Sequence, residues 1–179
     1  MDDASWSMKL SLYENWYNTD MESLFGYLFY QTQDRDLAEE LTASTCLRAL
    51  ERLDQFDPDR GRLKDWTFGI ARNLLRDHRR KQSRQPAHID ISDAAEYLTT
   101  DEGFELDYEQ REAFLEVLSH VDRLNERERE IVALRYGAGL SNAEIAPMLK
   151  ITSNHVAVTL GRAIAKLKEQ IGVRIHDAS

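Results

Sequence analysis

Cysteine is nearly absent. Cys46 stands alone, so no disulfide can form within the chain and no multi-cysteine metal site can be built. Three prolines and 8 glycines among 179 residues are too few for the many turns of an all-β sandwich. No apolar run approaches the roughly 18 residues that a membrane-spanning helix needs. The opening MDDASWSM carries acids where a secretory signal carries bases and an apolar stretch, so the expected location is cytoplasmic, without membrane insertion. The five histidines are scattered, and HExxH, Walker, GxGxxG and GxSxG patterns are all missing. The expectation is no enzyme, no metal, no cofactor and no small-molecule substrate. Cys46 lies on an apolar helix face with no histidine near it in sequence, which predicts a buried thiol.

What is present points to helices. Apolar residues at 42% and charged residues at 31% are the composition of a soluble globular protein. The net charge of −9 at first disfavours a nucleic-acid partner, but its distribution reverses that reading. Residues 62–84 hold eight cations against two acids, a net +6. Residues 85–112 hold nine acids against Arg111 alone, a net −8. The acidity is concentrated in one strip, and a basic patch survives beside it.

Apolar residues recur at helical spacing over 6–31, from Leu10 and Trp16 to Leu28 and Phe29. A second helix is expected from about Asp34 to Leu53, with Leu37, Leu41, Cys46, Leu47 and Leu50 inward. The turn cluster Phe56-Asp57-Pro58-Asp59-Arg60-Gly61 separates it from a third helix, marked by Leu63, Trp66, Ile70, Leu74 and Leu75. Pro86 opens a weakly periodic acidic linker, and the helical period resumes at Tyr108. Asn125 with Glu128, and Ser141 with Glu144, read as two capping boxes. Gly137 and Gly139 end the first of these helices, and Thr152 or Ser153 caps the last. The fold class is therefore all-α: a helical domain over 6–84, a linker over 85–107 and a second helical domain over 108–172.

Two segments carry chemistry. Leu140–Lys168 has helix-turn-helix spacing, in which the second helix offers its first residues to a major groove. An ordinary helical hairpin has the same spacing, but the preceding helix Glu126–Tyr136 supplies the third member such modules need. The helix Ala71–Arg84 sets Arg72, Arg76, Arg79 and Arg80 on one face, close in sequence to Phe56, Trp66 and Phe68. A merely solvated basic face is the plain reading, and a core role is the plain reading of Trp66. Cations beside aromatic rings are also what single-stranded DNA requires.

Three stretches resemble the extracytoplasmic-function group of bacterial RNA polymerase sigma factors. They are Leu37-Ala38-Glu39-Glu40-Leu41 with Leu47-Arg48-Ala49; Trp66 through Ile70-Ala71-Arg72-Asn73 to His78-Arg79-Arg80; and Leu124-Asn125-Glu126-Arg127-Glu128 through Leu134-Arg135-Tyr136, Gly139-Leu140-Ser141 and Ala143-Glu144-Ile145-Ala146 to Arg162-Ala163. The resemblance implies a region-two domain, a linker and a region-four domain. It further implies a chain that binds core RNA polymerase, recognises a two-part promoter and opens its −10 element under the control of an anti-sigma factor. Core polymerase contacts then map to Glu39, Glu40, Leu41 and Arg48. Melted −10 DNA maps to Arg72, Arg76, Arg79 and Arg80, with a flipped-base pocket around Phe56 and Asn73. Duplex −35 DNA maps to Ser153, Asn154, His155, Thr159, Arg162 and Lys166.

Departures from the family pattern are specific. Ala43-Ser44 replace the usual Gln-Glu, Lys150 stands where the turn prefers glycine, and Pro147 lies inside the buttressing helix, where it should introduce a kink. Ala157, Val158, Thr159 and Gly161 take positions where relatives place cations. These changes keep open a sigma-like protein that titrates an anti-sigma factor without initiating transcription; a stand-alone helix-turn-helix regulator would leave the first 84 residues without a purpose. The acidic strip is expected either to compete with DNA for the basic helix or to serve as a spacer or nucleic-acid mimic.

Overall fold

The computed structural model describes residues 3–82 and 121–177. The acidic strip, Arg84 and the apolar period from Tyr108 lie outside these residues, and with them the expected linker and its competition with DNA.

Every described element is helical. Helix α1 spans Asp3–Thr32 and α2 spans Arg35–Glu51, followed by a 3-10 turn at Leu53–Gln55; α3 spans Leu63–Gln82. A 3-10 turn at Val121–Arg123 leads to α4, Glu126–Val132, which widens into a π-helical turn at Ala133–Gly137. Helices α5, Asn142–Leu149, and α6, Ser153–Asp177, complete the order.

The first three helices form one bundle. Trp16, Leu24, Leu28 and Phe29 of α1 are buried against Leu41 and Cys46 of α2 and Phe68, Ala71 and Leu75 of α3. Asp34 caps α2, its Oδ1 accepting from the Leu37 amide at 2.9 Å. Buried Thr42 and Thr45 return their hydroxyls to the carbonyls of Ala38 and Leu41, both at 2.7 Å, so neither leaves an orphaned donor. Tyr13 donates to the Cys46 carbonyl at 3.0 Å, and Lys64 pairs with Asp20 at 2.6 Å, tying α2 and α3 to α1. The Cys46 thiol is buried, and that burial pushes its pKa up, as an inert core thiol requires.

The phase of α2 differs from the expectation. Ala38, Leu41, Thr42, Thr45, Cys46 and Ala49 face inward, whereas Leu47 is 59% exposed and Leu50 38%. Two β-branched hydroxyl residues sit on the inner face, so counting apolar side chains placed that face too far round the helix.

Both expected capping boxes are present. The Glu128 amide donates to Asn125 Oδ1 at 2.9 Å and the Asn125 amide to Glu128 Oε2 at 3.1 Å. Ser141 and Glu144 exchange the same pair of bonds across the start of α5. Thr152 rather than Ser153 caps α6, accepting from the His155 amide at 3.1 Å. The helix expected to run through Tyr136 keeps α geometry only to Val132; from there the Ala138 amide reaches back five residues to the Ala133 carbonyl at 3.0 Å.

Pro147 falls inside α5, and the helix ends two residues later. Lys150 then adopts the left-handed conformation, φ 54° and ψ 47°, with its amide on the Ala146 and Pro147 carbonyls and the Ile151 amide also on Ala146. This is a Schellman closure made with a lysine where glycine fits without strain. Lys150→Gly is expected to stabilise the chain by about 0.5–1 kcal/mol, since relief of the Cβ strain outweighs the entropy glycine adds to the unfolded chain. A thermal melt that moves down would contradict it.

Candidate nucleic-acid and polymerase interface

Helix α3 buries Leu63, Thr67, Phe68, Ile70, Ala71 and Leu75. Asn73, Arg76 and Arg80 are exposed, while Arg72 and Arg79 are half-buried. The Arg76 guanidinium donates to Asn73 Oδ1 at 2.9 Å, which leaves the Asn73 amide nitrogen outside that bond. Arg80 lies 3.6 Å from Asp77, an exposed pair of little energetic weight. Arg79 is different: its Nη2 donates to the Gln31 carbonyl at 2.9 Å and to Gln31 Oε1 at 2.7 Å, which pins α3 to the end of α1.

At the flipped-base pocket expected around Phe56 and Asn73, Phe56 lies on the core side. Phe56 is 4% exposed, and its ring packs on Trp66 at 5.5 Å between centroids. Apolar area of that size is more stable in the core than on the surface, so Phe56 shores up the start of α3 from behind.

Arg72 meets the second group of helices. Its Nε lies 2.7 Å from Glu130 Oε1, and its Nη1 donates to the Met148 carbonyl at 3.4 Å. Glu130 also accepts from the Tyr27 hydroxyl at 3.1 and 3.2 Å and from Gln31 Nε2 at 3.0 Å. Arg72, Asn73, Arg76, Arg79 and Arg80 line a cavity of about 900 Å³ together with Tyr27, Glu126, Arg129 and Glu130. Sequence reasoning did not single out Glu130. An EREREI run reads as a solvated face, and only the packing of α4 onto α1 and α3 takes its last acid out of water.

Burial holds the Glu130 carboxyl above its ordinary pKa, against the pull of Arg72, the Tyr27 hydroxyl, Arg79 and Arg127. Burial and then Glu130 drive the Tyr27 hydroxyl well above its own. Glu128 moves the other way: its partial burial is outweighed by Lys166, at 2.6 Å, and by the Asn125 amide. The Ser141 amide and hydroxyl lower Glu144. The signs therefore oppose each other. A raised carboxyl means the packed state takes up a proton more readily, so Glu130 gains packing stability as pH falls through its raised value. Glu128 and Glu144 contribute stability above the ordinary carboxylate range and lose it as pH falls through their lowered values. Relative to Glu130→Gln, the wild type is expected to gain stability as pH drops from neutrality toward the carboxylate range. Denaturant midpoints measured across that range check it, and a difference that does not change with pH would contradict it.

At the start of α6, Ser153, Asn154 and His155 are exposed, as is Arg162 further along, and Thr159 is half-buried. Lys166 is exposed yet reaches Glu128, so it serves the domain's own packing as well. Ala157, Val158 and Gly161 are exposed and give this face little charge. On α2, Glu39 pairs with Arg35 at 2.9 Å and Glu40 is exposed; Arg48 is half-buried, and Leu41 is buried at 5%. Leu41 therefore belongs to the core, and the apolar groups available to a partner on this helix are Leu47 and Leu50.

Fold and site together define a two-module helical chain: a bundle with a basic outward helix, and a helix-turn-helix unit. The sigma-70 region 2 model matches residues 16–85 and the sigma-70 region 4 model residues 121–169. The chain is 32% identical over 154 residues to the ECF RNA polymerase sigma factor BldN of Streptomyces coelicolor, covering 84% of this chain but 57% of that protein's length. It is 30% identical over 145 residues to the ECF RNA polymerase sigma factor EcfG of Rhodopseudomonas palustris, covering 81% of this chain and 77% of that one. The sigma factor RpoE of Bartonella quintana, solved with the anti-sigma factor NepR, shares the fold with a TM-score of 0.67 at 20% identity, over 89% of this chain and 96% of that one. The chain belongs to the ECF group of RNA polymerase sigma factors. Among the described residues no helix is long and apolar enough to cross a membrane.

Proposed function

We propose that this sigma factor binds core RNA polymerase, directs it to promoters with two recognition elements and helps open the −10 element. The observation that carries the reading is the outward face of α3, where Asn73, Arg76 and Arg80 stand exposed on a helix whose other side is core. Asn73 offers a donor and an acceptor to one base edge, and the arginines neutralise backbone phosphate. The exposed start of α6, Ser153 to His155 with Arg162, takes the −35 duplex, and the weakly charged surface beyond it makes that contact less salt-dependent. The outer face of α2, with Glu39, Glu40, Leu47, Leu50 and Arg48, docks on the polymerase. An anti-sigma factor is the expected inhibitor, supported by the complex in which the RpoE neighbour was solved. The site of action is the cytoplasm, where the polymerase is.

Transcription in vitro with core polymerase on a promoter library tests binding, opening and sequence choice at once. Transcripts that start at a shared two-part sequence support the proposal. Polymerase binding with no transcript from any promoter favours the titrating protein instead, to which the apolar surface of Ala157, Val158 and Gly161 lends support. Within the leading reading, Asn73→Ala should cost roughly 1–3 kcal/mol at one −10 base and little elsewhere. A uniform loss at every base would show that Asn73 is structural.

A further inference from the structure

No lysine or arginine occurs over residues 153–161, the part of α6 that a helix-turn-helix offers to DNA. Val156, Leu160, Ala163 and Leu167 are buried. The helical period sets Asn154, Val158, Gly161 and Ala165 opposite them, and all four are exposed, with Arg162 flanking the line. Val158 is 44% exposed, a large apolar group standing in water. Gly161 has no packing reason to be glycine. A Cβ there would meet nothing within 4 Å beyond its own stretch of helix, and glycine weakens a helix interior relative to alanine. Lys166 is drawn aside: its Nζ lies 2.6 Å from Glu128 Oε1, so its charge is held on the module's own core.

We propose that the chain reads its −35 duplex through a thymine methyl group seated on Val158, beside an adenine held by Asn154, with Gly161 left bare so that the duplex lies close against α6. The inference rests on the reading of α6 as the −35 surface and names the bases that this surface takes. In the major groove the base pairs differ in their donors, their acceptors and the thymine methyl group. Guanine is read by a bidentate arginine or lysine, which residues 153–161 lack. The Asn154 amide nitrogen can donate to adenine N7 while its carbonyl oxygen accepts from the N6 amino group. Val158 has no hydrogen bond to offer, and among the bases thymine alone presents a methyl group to it. Its β-branched side chain holds one strongly preferred rotamer in a helix, so the apolar surface it offers is fixed. Asparagine and valine are short, and they reach base edges only if the helix backbone comes close. A bare Gly161 allows that approach. Val158 lies one turn beyond Asn154, about 6 Å along the axis. Base pairs rise about 3.4 Å each, so the two pairs read lie within about two steps of one another.

The test uses holoenzyme assembled from the full chain and core polymerase, with duplex promoters randomised over the −35 region. The duplexes it selects are expected to share an adenine and a thymine within about two positions of each other. Deoxyuridine is then put in place of each selected thymine in turn, which removes one methyl group and leaves base pairing unchanged. At one thymine this should weaken binding about fourfold, the worth of one buried methyl group, and at the others little. With Val158→Ala the same replacement should have no effect. Gly161→Ala should melt at a higher temperature and yet bind the −35 duplex roughly tenfold more weakly, since its Cβ is unopposed in the free chain and crowds the DNA. Selection that yields no −35 preference overturns the −35 reading of α6, and the inference with it. A −35 preference without a methyl-sensitive thymine, or with a sensitivity that survives Val158→Ala, overturns the inference and leaves the −35 reading standing. Binding by Gly161→Ala that is unchanged, or that falls together with the melting temperature, overturns the close approach.

Discussion

Changing Arg76 and Arg80 together to alanine should weaken promoter DNA binding by the polymerase-bound sigma factor at every sequence tested. It should also flatten the dependence of log affinity on log salt by about two units, one for each phosphate no longer neutralised. Both side chains are exposed, so their removal opens no cavity and the melting temperature should hardly move. Arg79→Ala separates the two kinds of arginine on this helix. Its guanidinium is bonded to Gln31 at 2.7 and 2.9 Å, so its removal should lower stability through a freed carbonyl and a loosened α1–α3 junction. An unchanged salt slope in the Arg76/Arg80 double variant would reduce those residues to a solvated face.

The largest effect on stability is expected at Ile145. It is fully buried at the centre of α5, in the same core as Leu149, Val156 and Leu160. Truncation to alanine removes three carbons from a site that helices close on all sides, and should cost about 2–5 kcal/mol in transfer and cavity terms. That is a large part of the stability of a typical small domain, about 5–15 kcal/mol. Val158→Ala, on the exposed side of the neighbouring helix, should change stability by no more than about 0.5 kcal/mol. Urea unfolding decides between them: Ile145→Ala must lower the midpoint at an unchanged slope, and a shift below about 1 kcal/mol would mean the site collapses around the gap. Because the helix-turn-helix core holds α6 in place, the same variant should lose −35 recognition.

Local chemistry was legible in the sequence wherever a few neighbouring residues decide the outcome. Asn125 with Glu128 and Ser141 with Glu144 form the reciprocal bonds their spacing predicts, because a cap needs only its own first turn. The turn after Phe56 breaks the chain where Pro58 and Gly61 require it, and the period of apolar residues marks the helices on either side. The alternation of charge located the basic helix that the net charge of −9 concealed. Phase within an element was less secure. Leu47 and Leu50 read as inward because apolar counting ignored Thr42 and Thr45, whose hydroxyls are satisfied inside their own helix.

The sequence by itself determined that this chain is helical, that it carries two modules, and which helix bears the positive charge, since each follows from spacing and composition along the chain. Tertiary structure alone decided the fate of individual charged and aromatic side chains. Arg72, Arg76, Arg79 and Arg80 look equivalent at three- and four-residue intervals, yet one pairs with Glu130, one with Gln31, and two remain exposed. Phe56 went to the core and Glu130 to a buried hub for the same reason. Burial and pairing depend on what packs opposite, from residues about a hundred positions away in the case of Tyr27 and Glu130, and no local pattern encodes that distance.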